Sequence, residues 1–197
     1  MPKFSYTTSN RKNAAKTFQT LPKGAYVCKI LKATEEKNKD GKGSHIEIAF
    51  DIAEGEYKDF YLKQYNANTN EDKKWPWDAR YYLSIPSEDA AEWQIQNWDT
   101  FWTNVEDSNQ DYCFDGDGDK LKGKLFGGLF HIEQNESNGN IYDHTRLKWT
   151  RAAQDIRDNN YGKLPNDKLV SVSTTPKASD DGFMDLPDGA ADSIPFI

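Results

Sequence analysis

The sequence predicts a mainly β domain of five short strands with one helix between the third and fourth. Three observations carry that expectation. HIEIAFDI (45–52) alternates without a break, Ile46, Ile48, Phe50 and Ile52 on one face and His45, Glu47, Ala49 and Asp51 on the other, the pattern of a half-buried strand. Ala91, Ile95, Trp98, Phe101, Trp102 and Val105 recur at spacings of three and four, which is helical. The remaining apolar runs are short, rich in β-branched and aromatic residues, and bounded by Gly, Asn and Asp.

Taken in order, Leu21-Pro22-Lys23-Gly24 is a turn, and AYVCKILKA (25–33) is the first strand. EEKNKDGKG (35–43) is a charged loop with a turn at Asp40-Gly41. The second strand is 45–52, and Glu54-Gly55 turns the chain again. YKDFYLKQY (57–65) reads as the third strand, with Phe60 and Leu62 on one face and Tyr57, Tyr61, Lys63 and Tyr65 on the other. NANTNEDKK (66–74) is loop, and WPWDARYYL (75–83) fits no single element. A helix is expected over 87–106, with Ser87 as its N-cap. SNQDYCFDGDGDK (108–120) is a long loop. KGKLFGGLFHIE (122–133) is a strand whose Gly127-Gly128 pair suggests a bulge or a sharp corner. After the turn NESNGN, IYDHTRLKW (141–149) is the fifth strand, with Arg146 and Lys148 on one face and Leu147 and Trp149 on the other. QDIRDNNYGKLP (154–165) is a short helix and loop. This layout is that of an OB-fold, a small Greek-key barrel that commonly binds single strands or oligosaccharides. The domain is expected over 21–168, preceded by a flexible arm (1–20) and followed by a disordered acidic tail (169–197), where Ser, Thr, Pro and Asp take over.

The chain has 197 residues, 36% apolar, with 6 Trp, 10 Tyr and 10 Phe. That aromatic load suits a folded domain, although mean hydropathy is only −0.92. No apolar run is long enough to span a bilayer, and MPKFSYTTSNRKNAAK has no apolar core or cleavage signal, so no membrane or secretory route is expected. Cys28 and Cys113 stand far apart, as reduced thiols of a cytosol-like compartment do. The net charge of −7 is unevenly spread: residues 1–44 carry +7, 45–139 carry −12, 140–168 carry +2 and 176–197 carry −4. Screening confines each patch to its neighbourhood, so a basic groove can exist on an acidic protein.

Catalytic signatures find no support. Asp115-Gly-Asp-Gly-Asp119 evokes a calcium loop, but its sixth and twelfth positions hold Lys120 and Phe126 where Gly and Glu are needed. His45, His131 and His144 lack ligand spacing. There is no nucleophile elbow, phosphate-binding loop or His-Glu-x-x-His. The expectation is therefore no enzyme, no cofactor and no metal. Single-strand binding, by contrast, needs rings to stack on bases and cations to follow phosphates. Tyr57, Tyr61, Lys63 and Tyr65 supply both on one strand; Arg146, Lys148 and Arg151 supply cations on another; Lys29 and Lys32 punctuate the first. Each tyrosine either stacks or half-packs beneath the helix. Trp98 and Trp102 read as core, while Trp75 and Trp77 fit either role.

Several stretches resemble a family of bacteriophage proteins: L-P-K-G-x-Y (21–26), K-D-G-K-G (39–43), I-A-E-G-E-Y-K (52–58), S-N-x-x-Y (108–112) and L-K-G-K-L-F-G-G-L-F (121–130). The family is the phage-encoded single-stranded DNA-binding proteins with an OB-fold, and the resemblance spans most of 20–168. It implies sequence-independent coating of single-stranded DNA in replication, recombination and repair, in the cytoplasm of an infected bacterium. The ending resembles that of many bacterial single-stranded DNA-binding proteins, an acidic stretch followed by Ile-Pro-Phe. Asp188, Asp192, Ile194, Pro195, Phe196 and Ile197 would then be a hook for replication or recombination proteins. Aspartates draw the segment to basic pockets, Pro195 lowers the ordering cost, and Phe196 anchors. Here Ile197 carries the terminal carboxylate, one residue beyond Phe. A frayed terminus is the plain alternative. The oligomeric state stays open, a homo-oligomer included. Two other classes compete: a carbohydrate-binding β-barrel module, and a metal-dependent nuclease using Asp115, Asp117 and Asp119.

Overall fold

The structure is a computed structural model, and it describes residues 20–170. The expected arm and tail, with Asp188, Asp192, Ile194, Pro195, Phe196 and Ile197, lie outside the described residues apart from Thr20, Leu169 and Val170 at their margins. Five antiparallel strands form one sheet in the order β3-β2-β1-β4-β5. They are β1 (Ala25–Lys37), β2 (Ser44–Ile52), β3 (Arg80–Ser84), β4 (Leu125–Ser137) and β5 (Asn140–Arg151). Three α-helices accompany them: α1 (Phe60–Ala67), α2 (Glu92–Asp107) and α3 (Ala153–Arg157). Among the described residues β3 and β5, at opposite ends of the order, share no ladder.

The expected third strand at 57–65 is a turn followed by α1, and the third strand is instead RYYLS, 80–84. The cause is remote in sequence. The buried carboxylate of Asp51 accepts the backbone N–H groups of Tyr61 (2.9 Å) and Leu62 (3.1 Å). It thereby satisfies orphan donors at a helix start that lacks a local cap. Burial pushes the Asp51 carboxyl up from its ordinary range, opposed by those N–H groups. Helix α2 begins at Glu92, five residues after Ser87, where the Gln94 side chain accepts the Ala91 N–H at 3.1 Å.

The main core gathers Ile30, Ile48, Phe50, Phe101, Phe126 and Phe130. A second cluster, Val27, Leu129, Ala153 and Ile156, lies beneath α3. The glycine pair expected to mark a bulge serves close packing. A Cβ on Gly127 would sit 2.5 Å from Ile156 and 2.8 Å from the Ala152 carbonyl. One on Gly128 would sit 2.7 Å from Phe130 and 3.2 Å from the Cys28 sulfur. The β4–β5 register does shift next door: Leu129 faces Trp149 and Phe130 faces Leu147, leaving Lys148 as an extra residue on β5. Such a bulge breaks strict alternation, so Leu147 is buried while Trp149 is 43% exposed. Cys28 is fully buried and Cys113 is exposed. Among the described residues no helix is long and apolar enough to cross a membrane.

Candidate nucleic-acid interface

The strand pairing builds an outward face across β1, β2 and β3. Glu36 lies beside His45 and Lys32 beside Ala49 on one side. Tyr82 lies beside Glu47 and Arg80 beside Ala49 on the other. Because β3 alternates, Leu83 points to the core while Tyr82 stays 40% exposed. The Tyr82 ring meets His45 edge-on at 5.5 Å. Just before β3, the 3₁₀ turn Trp77–Ala79 follows Pro76 and leaves Trp77 48% exposed.

Arg146 of β5 completes this face. Its guanidinium lies 3.4 Å from the Trp77 ring centroid and donates to the Trp77 carbonyl at 3.2 Å. Its Nη1 is 3.9 Å from Asp78, which His144 also engages at 3.3 Å. The Trp77 ring packs edge-on against His144 at 5.6 Å. Side chains therefore link the start of β3 to β5 where no backbone ladder does. Burial pushes the Asp78 carboxyl up, against the pull of His144 and Arg146. Burial likewise lowers Arg146 from its ordinary value, against Asp78.

A groove of about 540 Å³ runs over this face, bounded by Lys37, Lys39, His45, Glu47, Trp77 and Tyr82 among others. Glu47 is engaged by Arg80 at 2.9 Å, and Lys37 and Lys39 are exposed at its end. The groove thus offers the Trp77 and Tyr82 rings, an imidazole and two exposed ammonium groups, with Arg146 stacked on the indole beside it. That set can stack unpaired bases and follow phosphates. A second depression of about 250 Å³ beside α2 joins Lys148, Trp149 and Arg151 to Tyr81.

The sequence-derived candidates are dispersed. Arg146 does not line the groove itself but stacks on Trp77, which does. Lys148 is exposed at the bulge, and Arg151 is half-buried and donates to the Thr150 carbonyl at 2.8 Å. Lys32 is exposed beside Ala49, and Lys29 is half-buried opposite Asp51. The four residues expected on one strand face lie around α1 instead. Tyr61 is 2% exposed and packs edge-on against Phe50 at 6.0 Å. Tyr57 packs against Tyr26 at 5.8 Å, and Tyr65 against Trp75 at 5.6 Å with Lys73 over its ring. Lys63 is exposed and donates to the Lys58 carbonyl at 2.7 Å. None of these four lines the groove. Sequence reading missed Tyr82, Lys37, Lys39 and Trp149 as surface candidates. The alternation in RYYLS was the available signal for Tyr82.

In the acidic loop, Lys120 pairs with Asp115, and Asp117 accepts the Asp119 N–H at 3.0 Å. Among the described residues, no group of three or more His, Cys, Asp or Glu side chains is arranged to hold a metal ion. No protein-family model matches the chain, and no curated protein matches it either.

Proposed function

We propose that the protein is a non-catalytic, sequence-independent single-stranded DNA-binding protein of the bacteriophage type, built on an OB-fold. The observation that carries this reading is the groove in which exposed Trp77 and Tyr82 stand with Lys37 and Lys39, Arg146 being stacked on Trp77 beside it. Base–aromatic stacking contributes about 1–3 kcal/mol per base and tolerates any base, and the cations neutralise phosphates. The strand order suits an OB-fold, with the gap between β3 and β5 bridged by Trp77, Asp78, His144 and Arg146. Helix α2 lies over the same gap: Tyr81 stacks on Phe101 at 5.6 Å, and Asn104 donates to Thr150 at 2.9 Å. In this reading the protein needs no cofactor and works in the cytoplasm of the infected bacterium. It serves replication, recombination and repair, and the Ile-Pro-Phe ending recruits partner proteins.

The test is intrinsic tryptophan fluorescence during titration with oligothymidylate, with duplex DNA as control, at low and high salt. Quenching by the single strand alone, weakening as salt rises, is the expected result. A folded protein that ignores oligothymidylate would overturn the reading. Glu36 and Glu47 in the groove favour a carbohydrate-binding module as the second reading. Oligosaccharide binding indifferent to salt would establish it, since sugars release no counterions.

A further inference from the structure

Beside the groove lies a pocket that single-strand coating alone does not require. It encloses about 320 Å³ between α1 and the start of β5, within the range of small-ligand sites. Leu21, Phe60 and Tyr142 supply apolar wall; Phe60 is half-buried and Tyr142 is 50% exposed. Its polar lining includes Tyr61, Asp78 and His144. Two polar atoms of these residues make no hydrogen bond among the described residues. Among the described residues the Tyr61 hydroxyl, on a residue 2% exposed, has no hydrogen-bond partner, and Asp78 Oδ1 accepts no hydrogen bond, although Arg146 Nη1 lies 3.9 Å from it. His144 Nδ1 lies 3.2 Å from that oxygen, but its hydrogen bond goes to Oδ2. Buried polar groups are normally paired, and an unpaired one costs free energy. An unpaired phenol hydroxyl and a carboxylate oxygen that accepts no hydrogen bond, both on residues that line one pocket, therefore point to a polar ligand. The pocket also adjoins the groove, because Trp77 on the groove packs against His144 in the pocket and directly precedes Asp78.

We propose that this pocket receives one unstacked base of the bound strand and favours guanine, an inference that rests on the single-strand reading above. Guanine presents two donors side by side, N1–H and the 2-amino group, which suit a carboxylate acceptor, and its O6 can accept from a phenol hydroxyl. Adenine and cytosine place a ring-nitrogen acceptor beside their amino group. Thymine places its one N–H between two carbonyls. Each sets a lone pair against the carboxylate. The flat base would lie against Phe60 and Tyr142, which both line the pocket. Coating would stay general along the groove, with a preference at one position of the footprint.

The test uses the full chain and three labelled oligonucleotides read by fluorescence anisotropy: oligothymidylate, the same with one central guanine, and the same with inosine, which lacks the 2-amino group. The guanine oligonucleotide is expected to bind about tenfold more tightly than oligothymidylate, and inosine to lose most of that gain. In Tyr61→Phe and Asp78→Asn the ratio of the two affinities is expected to fall towards one. Tyr61→Phe removes only an unpartnered hydroxyl, so thermal unfolding of that variant should occur no lower than wild type. Equal binding of all three oligonucleotides overturns the pocket and leaves the single-strand reading standing. An undiminished guanine preference in Tyr61→Phe and Asp78→Asn also overturns it. Failure to bind any of them overturns both.

Discussion

Trp77 concentrates the binding argument in one side chain. Its exposed ring is both a stacking surface and the platform for Arg146. Trp77→Ala should weaken oligothymidylate binding about tenfold, as the loss of one stacked base would. Arg146→Lys should weaken it as well, because an ammonium cannot lie flat on indole or hold the same fork of donors. Both are read in the salt-dependent titration, and unchanged affinity in both would remove Trp77 and Arg146 from the interface. A packing prediction sits at Gly127. The Cβ of alanine there would press on the Ala152 carbonyl at 2.8 Å as well as on Ile156. Backbone cannot swing aside as a side chain can, so Gly127→Ala should cost about 2–3 kcal/mol in urea unfolding. A null effect would mean that α3 shifts freely on β4.

At the scale of elements, the clearest strands were legible because their faces differ. The 45–52 alternation reappears in β2, whose Ile48 and Phe50 are buried. Residues 57–65 were illegible because their local signal, four aromatics in nine positions, favours a strand, while the helix start is held by Asp51 ten residues before Tyr61. No window around α1 contains that capping group. The facing of Trp149 was hidden for another reason: one extra residue at Lys148 reverses the alternation beyond it. Trp77 and Tyr82 fell in the stretch that fitted no single element, where a 3₁₀ turn runs directly into β3. Asp51→Ala should therefore destabilise the domain by about 2–3 kcal/mol, since it strands two N–H donors at the start of α1.

A second element-scale prediction concerns the strap 166–170. Lys168 exchanges backbone bonds with Ile132 and Gln134 at 2.9 Å, and its ammonium meets Glu133 at 2.5 Å. Asp167 meets Lys23 at 2.8 Å. The lysine partners hold Glu133 below its ordinary 4.5 and Asp167 below its ordinary 3.8. A depressed acid contributes stability that is complete above the unfolded value and disappears as pH falls through the folded one. The strap should thus loosen on acidification below 4.5, ahead of the β1–β2 ladder. Amide NMR signals of Gln134 and Lys168 moving before those of β2 would show it. Simultaneous loss would mean that the strap and sheet unfold together.

Across the whole molecule, charge is segregated: +7 in residues 1–44 against −12 in residues 45–139. A protein of net charge −7 should then bind single strands with a measurable salt slope, about −0.7 for each phosphate neutralised. Removing residues 1–19 deletes Lys3, Arg11, Lys12 and Lys16 and no acidic residue. If those cations meet phosphates, the slope becomes shallower in proportion; an identical slope would assign all phosphate contacts to residues 20–197.

The two cysteines give this chain a built-in stopwatch. Cys113 is open to reagent, whereas Cys28 is sealed within β1 against Gly128 of β4, its thiol pushed up by burial. An aromatic disulfide reagent should consume one thiol per chain at once and the other only when the core opens. The slow phase then times spontaneous unfolding of the native protein in plain buffer, without denaturant or attached dye. Adding single-stranded DNA should lengthen that phase if the strand binds the folded form alone.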